Sequence, residues 1–255
     1  MKSLLTIVLC LLTTLAFSID RYYKGDELFV HAPSGLKLRS TPDGDALVTV
    51  PYGAKLKVTE DKSTKITKIV DGLVGGWAKV DFNGKVGYIF DGYLSFLPTP
   101  TESCENLKDY CLSTFNQLTP LLISSFSNCY SEMDDMGDPD DYVQVFKYKD
   151  KTIVYSSNSG YEWGEEVITV TGISNEEAYL IASYIFRNRI KAALAYFQVN
   201  KFPENVSPEA YTKYVQYPKT DCFLLQLNSD GCDENLTISK SMANNVACIR
   251  LYGGC

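Results

Sequence analysis

The sequence predicts two domains: a small all-β barrel, followed by a disulfide-containing α+β domain in which an antiparallel sheet carries two helices. Three observations support this fold class. Short strand-like runs separated by turn residues fill residues 28–90, with no helical periodicity. After residue 101, helix-like and strand-like blocks follow one another. All cysteines except Cys10 lie in that second part, which is therefore expected to have its own covalent chemistry.

The first 18 residues have the pattern of a secretory signal peptide. Lys2 provides a basic start, Leu4 to Leu12 form an apolar run, and Ala16-Phe17-Ser18 place small residues at a cleavage site. The apolar run is too short to span a bilayer, which needs roughly 20 residues. We therefore expect an exported protein, periplasmic or extracellular, with no membrane span in the mature chain.

Alternation and turn residues define the strands of the first domain, residues 19–97. Leu36 and Leu38 alternate with charged residues, which places both leucines on one face of a strand. Asn83-Gly84 predicts a tight hairpin, because both residues tolerate positive φ. The predicted strands are Leu28–Val30, Leu36–Arg39, Leu47–Val50, Ala54–Val58, Ile66–Val70, Trp77–Phe82 and Val86–Phe90, with a loop over residues 72–76.

Spaced segments of this domain carry a family resemblance. They are Gly35–Ser40 followed by Pro42, Pro51–Gly53, Trp77–Val80, Gly84–Phe90 and Tyr93-Leu94. Together they resemble the bacterial SH3-like (SH3b) domain, over residues 26–97. The resemblance implies a small barrel that binds cell-wall peptide or an envelope protein through exposed aromatic side chains. It implies a binding or spacing module and no reaction.

The aromatic residues of this module are the candidate ligand contacts. Tyr52, Tyr88 and Tyr93 are predicted to line a binding groove of the kind that the resemblance implies. Trp77 is expected to fill the barrel core, because a barrel this small needs large apolar side chains inside it. The same core role remains open for Tyr88.

Charge and histidine content exclude several functions. The net charge is −7, and the acidic excess in the second domain argues against nucleic acid and anionic membrane surfaces as partners. His31 is the single histidine, so the second domain has none for a Cys/His or Ser/His dyad. We therefore predict no catalytic residue, metal site or cofactor, and interpret His31 as a structural residue.

The cysteines of an exported chain are expected to form disulfides. The chain has no C-x-x-C pair and almost no histidine, which argues against a zinc site. Cys104 and Cys111 would lie about 10 Å apart along a helix and are not expected to pair with each other. The number is odd, and Cys255 is our candidate for the unpaired or intermolecular thiol. The disulfide candidates are Cys104, Cys111, Cys129, Cys222, Cys232, Cys248 and Cys255.

The second domain, residues 103–255, follows a Pro-containing linker over residues 98–102. Ser174 and Glu177 form a predicted capping box, which begins an amphipathic helix that runs to Phe197. An earlier helix is predicted from Ser103 to about Leu118. The predicted strands are Tyr142–Tyr148, Thr152–Tyr155, Glu166–Gly172, Cys222–Leu227, Asn235–Ser239 and Val246–Tyr252.

The loop over residues 156–165 is the candidate site of the second domain. Tyr161 and Trp163 lie beside carboxylates there, a combination that suits a sugar ring or a cation. The alternative is a hairpin tip with a partly buried tryptophan. Paired carboxylates in this region, drawn from Glu162, Glu165 and Glu166, would suit acid/base catalysis at the right separation.

The sequence leaves three functional hypotheses. The first is an exported non-enzymatic binding protein of the bacterial envelope, whose SH3b module contacts cell-wall material or a protein partner. The second is a carboxylate-dependent hydrolase that acts on a cell-wall or carbohydrate polymer through the glutamates of the 156–165 region. The third is a structural envelope subunit that forms an oligomer through Cys255.

Overall fold

The computed structural model describes residues 22–62, 68–71, 73–118, 142–159, 162–190, 222–229, 232–241 and 246–254. The described chain is mostly β, with two seven-stranded antiparallel sheets and few helices. None of its helices is long and apolar enough to cross a membrane. The predicted signal peptide, Cys129, Tyr161 and Cys255 lie outside the described residues.

The first sheet contains six of the seven strands that the sequence predicts and one short addition, Leu94–Ser95. The described part of the seventh predicted strand, Lys68–Val70, lies outside this sheet. The strand order of the sheet is β3-β2-β8-β7-β4-β1-β9, and β5 and β6 form a separate two-stranded hairpin. The strands are β1 (Glu27–Val30), β2 (Leu36–Arg39), β3 (Ala46–Val50), β4 (Lys55–Val58), β5 (Lys68–Val70), β6 (Leu73–Gly75), β7 (Trp77–Phe82), β8 (Lys85–Phe90) and β9 (Leu94–Ser95).

Alternating side chains and one tight turn give this sheet its register. Leu38, Val80 and Ile89 are fully buried, whereas Lys37, Lys79 and Tyr88, which precede them on their strands, are exposed or half-buried. Asn83 and Gly84 have φ values of 53° and 82°, as the predicted hairpin between β7 and β8 requires. The loop predicted over residues 72–76 is wrong for its central part, because Leu73–Gly75 pairs with Lys68–Val70.

The second sheet confirms the predicted antiparallel strands and extends most of them. Its order is β10-β11-β12-β13-β16-β15-β14. The strands are β10 (Asn116–Leu118), β11 (Tyr142–Tyr148), β12 (Lys151–Ser159), β13 (Trp163–Thr171), β14 (Cys222–Ser229), β15 (Cys232–Ser241) and β16 (Val246–Gly254). Because β12 and β13 continue toward residues 160–161, the predicted loop over 156–165 is much shorter than expected.

Two helices pack on one face of this sheet. Helix α2 (Asn175–Ile185) begins with the predicted capping box, in which Ser174 and Glu177 exchange side-chain-to-backbone hydrogen bonds. Helix α1 (Leu107–Thr114) is shorter than predicted. Asn106 rather than Ser103 caps it by accepting from the Asp109 amide, and the extended backbone of Phe115 leads directly into β10.

Cys104, Cys111 and Cys248 form no disulfide with one another. Cys104 and Cys111 are buried in the core beneath the helices. Cys222 and Cys248 both pair with Ser239 from opposite sides, two strand spacings or about 9.5 Å apart, which exceeds the reach of a disulfide. Cys232 lies seven residues from Ser239 along β15, so it reaches neither of those two.

The Glu177 carboxylate joins the two domains. One oxygen, Oε1, accepts hydrogen bonds from the Ser95 hydroxyl (2.9 Å) and the Phe96 amide (2.8 Å), at the end of the first domain. The other, Oε2, accepts from the Ser174 amide (2.9 Å) at the start of α2. Glu177 is 1 % exposed, and this burial raises the pKa of its carboxyl group.

Two further contacts hold the linker and the barrel against the second domain. The Tyr52 ring stacks on Tyr184 of α2, with centroids 4.6 Å apart. The Nε2 atom of His31 donates to the Leu97 carbonyl (3.0 Å), and the Leu97 side chain is buried in the core of the second domain. The chain just before the predicted linker is therefore fixed by packed side chains.

We expect Glu177→Ala to lower the free energy of unfolding by about 3 kcal/mol, because three buried donors lose their acceptor. Urea denaturation of the full chain measures this loss. The neighbouring Glu176→Ala is the matched control, since Glu176 is only partly buried, and its loss should stay below about 1 kcal/mol. Equal losses in both variants would contradict this role for Glu177.

His31 should make stability depend on pH. Burial lowers its pKa from 6.5 to about 4, so below pH 6.5 the unfolded chain binds a proton that the folded chain rejects. The stability held above pH 6.5 is therefore lost as the pH falls toward 4. We expect the wild type to lose about 2 kcal/mol relative to His31→Gln between pH 7 and pH 5.

Urea denaturation of both proteins at the two pH values measures this difference. Groups common to both proteins, including the Glu177 carboxyl, contribute equally and cancel. If the unfolding free energies of the two proteins changed equally between the two pH values, the His31 pKa would be the same in the folded and the unfolded chain, which would contradict the prediction.

Candidate functional site

Four aromatic residues form a surface on the first sheet, which we call the aromatic face: Trp77, Tyr88, Phe90 and Tyr93. Trp77 and Phe90 are directly opposed on β7 and β8, and their rings meet edge to face with centroids 6.4 Å apart. Phe90 meets Tyr93 in the same way at 6.2 Å. Phe90 is buried, whereas the other three residues are half-buried.

The β5–β6 hairpin packs against this row of rings. A Cβ atom on Gly75 would lie 2.8 Å from the Phe90 ring and 2.7 Å from the Asp91 carboxylate, so the hairpin approaches through a glycine. The Tyr93 hydroxyl donates to Asp71 at 2.6 Å. Lys68 lies 5.8 Å from the centre of the Trp77 ring and forms an ion pair with Asp43.

A buried carboxylate fixes the end of β8 beneath the aromatic face. Asp91, which is 1 % exposed, accepts hydrogen bonds from the Tyr22 hydroxyl (3.0 Å) and the Gly76 amide (2.6 Å), and Lys62 lies 3.2 Å away. Burial and the neighbouring Asp91 charge raise the pKa of Tyr22 well above its ordinary value. The Asp91 amide in turn donates to the Gly76 carbonyl (3.0 Å), so the network joins the residue before β7 to the residue after β8, next to Trp77 and Phe90.

Basic side chains flank the tyrosine at the open end of the aromatic face. Tyr88 pairs with Arg39 of β2 on one side and with Lys79 of β7 on the other. The Lys79 ammonium lies 5.8 Å from the Tyr88 ring centre and forms an ion pair with Glu60. An apolar or planar group that carries a carboxylate would meet both a ring and a cation here.

The structure separates the predicted tyrosine contacts. Tyr88 and Tyr93 lie on the aromatic face, but Tyr52 does not, because its ring packs against α2 and its hydroxyl donates to the Pro100 carbonyl (2.9 Å). The expectation that Trp77 fills the core is wrong. Trp77 points away from the core that Ala78 and Val80 enter. The Asp91 network was missed, since its partners are far apart in sequence.

Two candidate residues of the second domain, Trp163 and Glu165, lie on the face of the sheet opposite the helices. Trp163 is 40 % exposed and lies nearly parallel to Tyr252, with centroids 6.4 Å apart. Glu165 and Glu166 are consecutive strand residues and point to opposite faces. Glu165 pairs with Arg250 on the open face, whereas Glu166 accepts from the buried Tyr155 hydroxyl (2.7 Å) on the helix side. These two glutamates therefore cannot face one substrate together.

Residues 34–95 match the family model of the bacterial SH3 domain. This range covers the strands from β2 to β9 and all four rings of the aromatic face, so the resemblance seen in the sequence is confirmed for the first domain. Searches of curated proteins and of solved structures return no match. Among the described residues, no group of three or more His, Cys, Asp or Glu side chains is arranged to hold a metal ion.

Gly75→Ala should disrupt the packing beneath the aromatic face. The new methyl group would lie 2.7 Å from both the Gly92 amide and the Asp91 carboxylate, so we expect a loss of about 2 kcal/mol or more in unfolding free energy. The matched control is Gly164→Ala, also on a strand, where a Cβ would meet nothing within 4 Å. Urea denaturation compares the two, and equal stability of both variants would contradict this packing.

Proposed function

We propose that the protein is an exported, non-enzymatic binding protein of the bacterial envelope, whose SH3 domain contacts cell-wall peptide or a protein partner. The observation that carries the proposal is the aromatic face, which lies within the residues that match the bacterial SH3 domain. Bacterial SH3 domains often bind cell-wall material, and half-buried rings with a charged edge suit such a ligand.

The charges beside the aromatic face favour a peptide with free carboxylates. Arg39 and Lys79 flank Tyr88, so a carboxylate near this ring would gain a charge-assisted hydrogen bond. Asp43 and Asp71 lie at the other end, near Trp77 and Tyr93, and would suit an amino group. Cell-wall peptides carry both kinds of group on a short backbone. We therefore place the peptide along the row from Tyr88 to Tyr93.

Two positive observations support a binding role over catalysis. His31, the one histidine, is 3 % exposed and is hydrogen-bonded to Leu97. It therefore contributes to the contact between the two domains, which we call the seam and which also includes Glu177 and Tyr52. Glu165 and Glu166 point to opposite faces of their sheet and are engaged by Arg250 and Tyr155. The alternative is a hydrolase that uses the exposed Glu162 with Glu165, and it requires Glu165 to leave Arg250.

We also propose that the second domain contains disulfides after export. Because the register keeps Cys222, Cys232 and Cys248 apart, none of them can pair with another of the three. Cys248 alternates with the buried Ala247 and Ile249 and therefore faces away from Cys104 and Cys111, which leaves Cys129 and Cys255 as its candidate partners. Burial raises the pKa of Cys111, which keeps its thiol protonated and slow to exchange. Peptide mapping of the secreted protein without reduction identifies the pairs, and seven alkylatable thiols would contradict the proposal.

Sedimentation of the full-length mature protein with purified peptidoglycan tests the binding proposal. We expect Tyr88→Ala to weaken binding at least tenfold, because about 1.4 kcal/mol is a modest loss for an aromatic contact at the centre of an interface. Tyr23→Ala is the matched control, since Tyr23 is 55 % exposed in the same domain and outside the aromatic face. Its binding should equal that of the wild type.

The same assay separates the competing functions. Release of soluble wall fragments that Glu165→Gln abolishes would establish the hydrolase instead. If the wild type does not sediment with the wall, cell-wall peptide is excluded as the ligand. Equal binding by the Tyr88 and Tyr23 variants would show that the aromatic face is not the contact surface.

A further inference from the structure

The open face of the second sheet carries a pair of exposed rings at one end. Trp163 on β13 is opposite Gly254 on β16, and Tyr252, two residues earlier on β16, is its diagonal neighbour. The two rings are within 22° of parallel. Gly254 lets both side chains lie close to the β16 backbone, since a Cβ there would lie 3.2 Å from the Tyr252 hydroxyl and 3.6 Å from the Trp163 Cβ.

Polar side chains continue from this pair in one row across four strands. Asn158 is opposite Glu165, Glu165 is opposite Tyr252, and Tyr252 is opposite Asn235. Directly opposed side chains share a face, so all four lie on the same side of the sheet as Trp163. The row spans about 14 Å, the length of roughly three pyranose rings. It offers an amide and a carboxylate on one side of the Tyr252 ring and an amide on the other.

The charges of this row cancel. Glu165 forms an ion pair with Arg250, whose guanidinium also lies 5.9 Å from the centre of the Tyr252 ring. An ionic ligand would compete with one member of this pair for the other. A neutral ligand leaves the pair intact and can still use its outer lone pairs and N–H groups for hydrogen bonds.

We propose that Trp163, Tyr252, Asn158 and Asn235 form a binding site for a neutral glycan chain. The C–H groups on one face of a sugar ring carry partial positive charge and pack against the negative face of an aromatic ring. The hydroxyl groups at the sugar's rim need both donors and acceptors, which the two amides provide. The site lies in the second domain and is independent of the aromatic face.

The two tryptophans of the chain allow each site to be observed separately. Trp77 belongs to the aromatic face and Trp163 to the glycan site, and the sequence contains no other tryptophan. In a Trp77→Phe protein, all tryptophan emission comes from Trp163. We expect titration with chitohexaose or cellohexaose to give a saturable change in this emission. A response to chitohexaose alone would point to N-acetylated wall glycan, and a response to both would point to glucans in general.

Adding Tyr252→Leu to the Trp77→Phe protein should weaken glycan binding at least tenfold while retaining the reporter. Tyr23→Leu in the same background is the matched control and should bind as before. If Tyr252→Leu fails to fold by circular dichroism, the double change Asn158→Ala and Asn235→Ala replaces it, with the same expected loss. These variants keep the aromatic face otherwise intact, so they do not test the SH3 ligand.

Three results would overturn the proposal. They are no saturable emission change with either hexasaccharide at millimolar concentration, equal weakening by the Tyr252 and Tyr23 changes, and a response only to the anionic polymer polygalacturonate. Loss of peptidoglycan sedimentation in Tyr88→Ala, with hexasaccharide binding retained, would separate this site from the proposed function of the SH3 domain.

Discussion

The buried carboxylate of Glu177 is the interaction on which the arrangement of this protein depends. It caps helix α2 and accepts two hydrogen bonds from the segment that leaves the barrel, so one side chain completes a local motif and a long-range contact. A buried carboxylate is costly unless every lone pair has a donor. The α2 cap therefore requires the barrel to be in place, and the barrel's last strand requires the cap.

The connection between the two domains is held in place by contacts with both of them. Leu97 is inserted into the second core, His31 holds its carbonyl, and the Tyr110 hydroxyl donates to the carbonyl of Pro98 at 2.7 Å. Backbone groups of the connection are thus engaged by side chains from both domains. An isolated SH3 fragment would lose the partners of Ser95 and Phe96, which is why binding is best measured on the full chain.

Two groups with opposite pH dependence bond to neighbouring residues of the connection: Glu177 to Ser95 and Phe96, and His31 to Leu97. Burial lowers the pKa of His31, so acid destabilises the seam through its imidazole. Burial raises the pKa of the Glu177 carboxyl, so the folded state binds a proton at a pH where the unfolded state releases it. The two effects oppose each other as the pH falls, and only a variant that removes one group can reveal the other.

Sequence patterns predicted the elements because their causes are local. The Ser174–Glu177 capping box, the Asn83-Gly84 turn and the alternation of the strands each depend on residues within a few positions of one another. The sites depend on partners that no pattern connects. The sequence alone does not show that the Tyr52 ring packs against Tyr184 and is therefore not part of a groove. It likewise does not show that Trp163 lies beside Tyr252 of β16, 89 residues later. Exposure of an aromatic ring is decided by the packing of distant elements.

The seam fixes the distance between the two proposed binding sites. Trp77 and Trp163 lie on different sheets, and the contacts of Glu177, His31 and Tyr52 hold those sheets in one arrangement. A polymer that offers peptide to one site and neutral glycan to the other would find the second site at a fixed distance once the first is occupied. Two weak contacts then act together, because the second binding step is intramolecular and loses little further translational freedom. A flexible linker would dilute this advantage, so the rigid seam is itself part of how such a ligand would be retained.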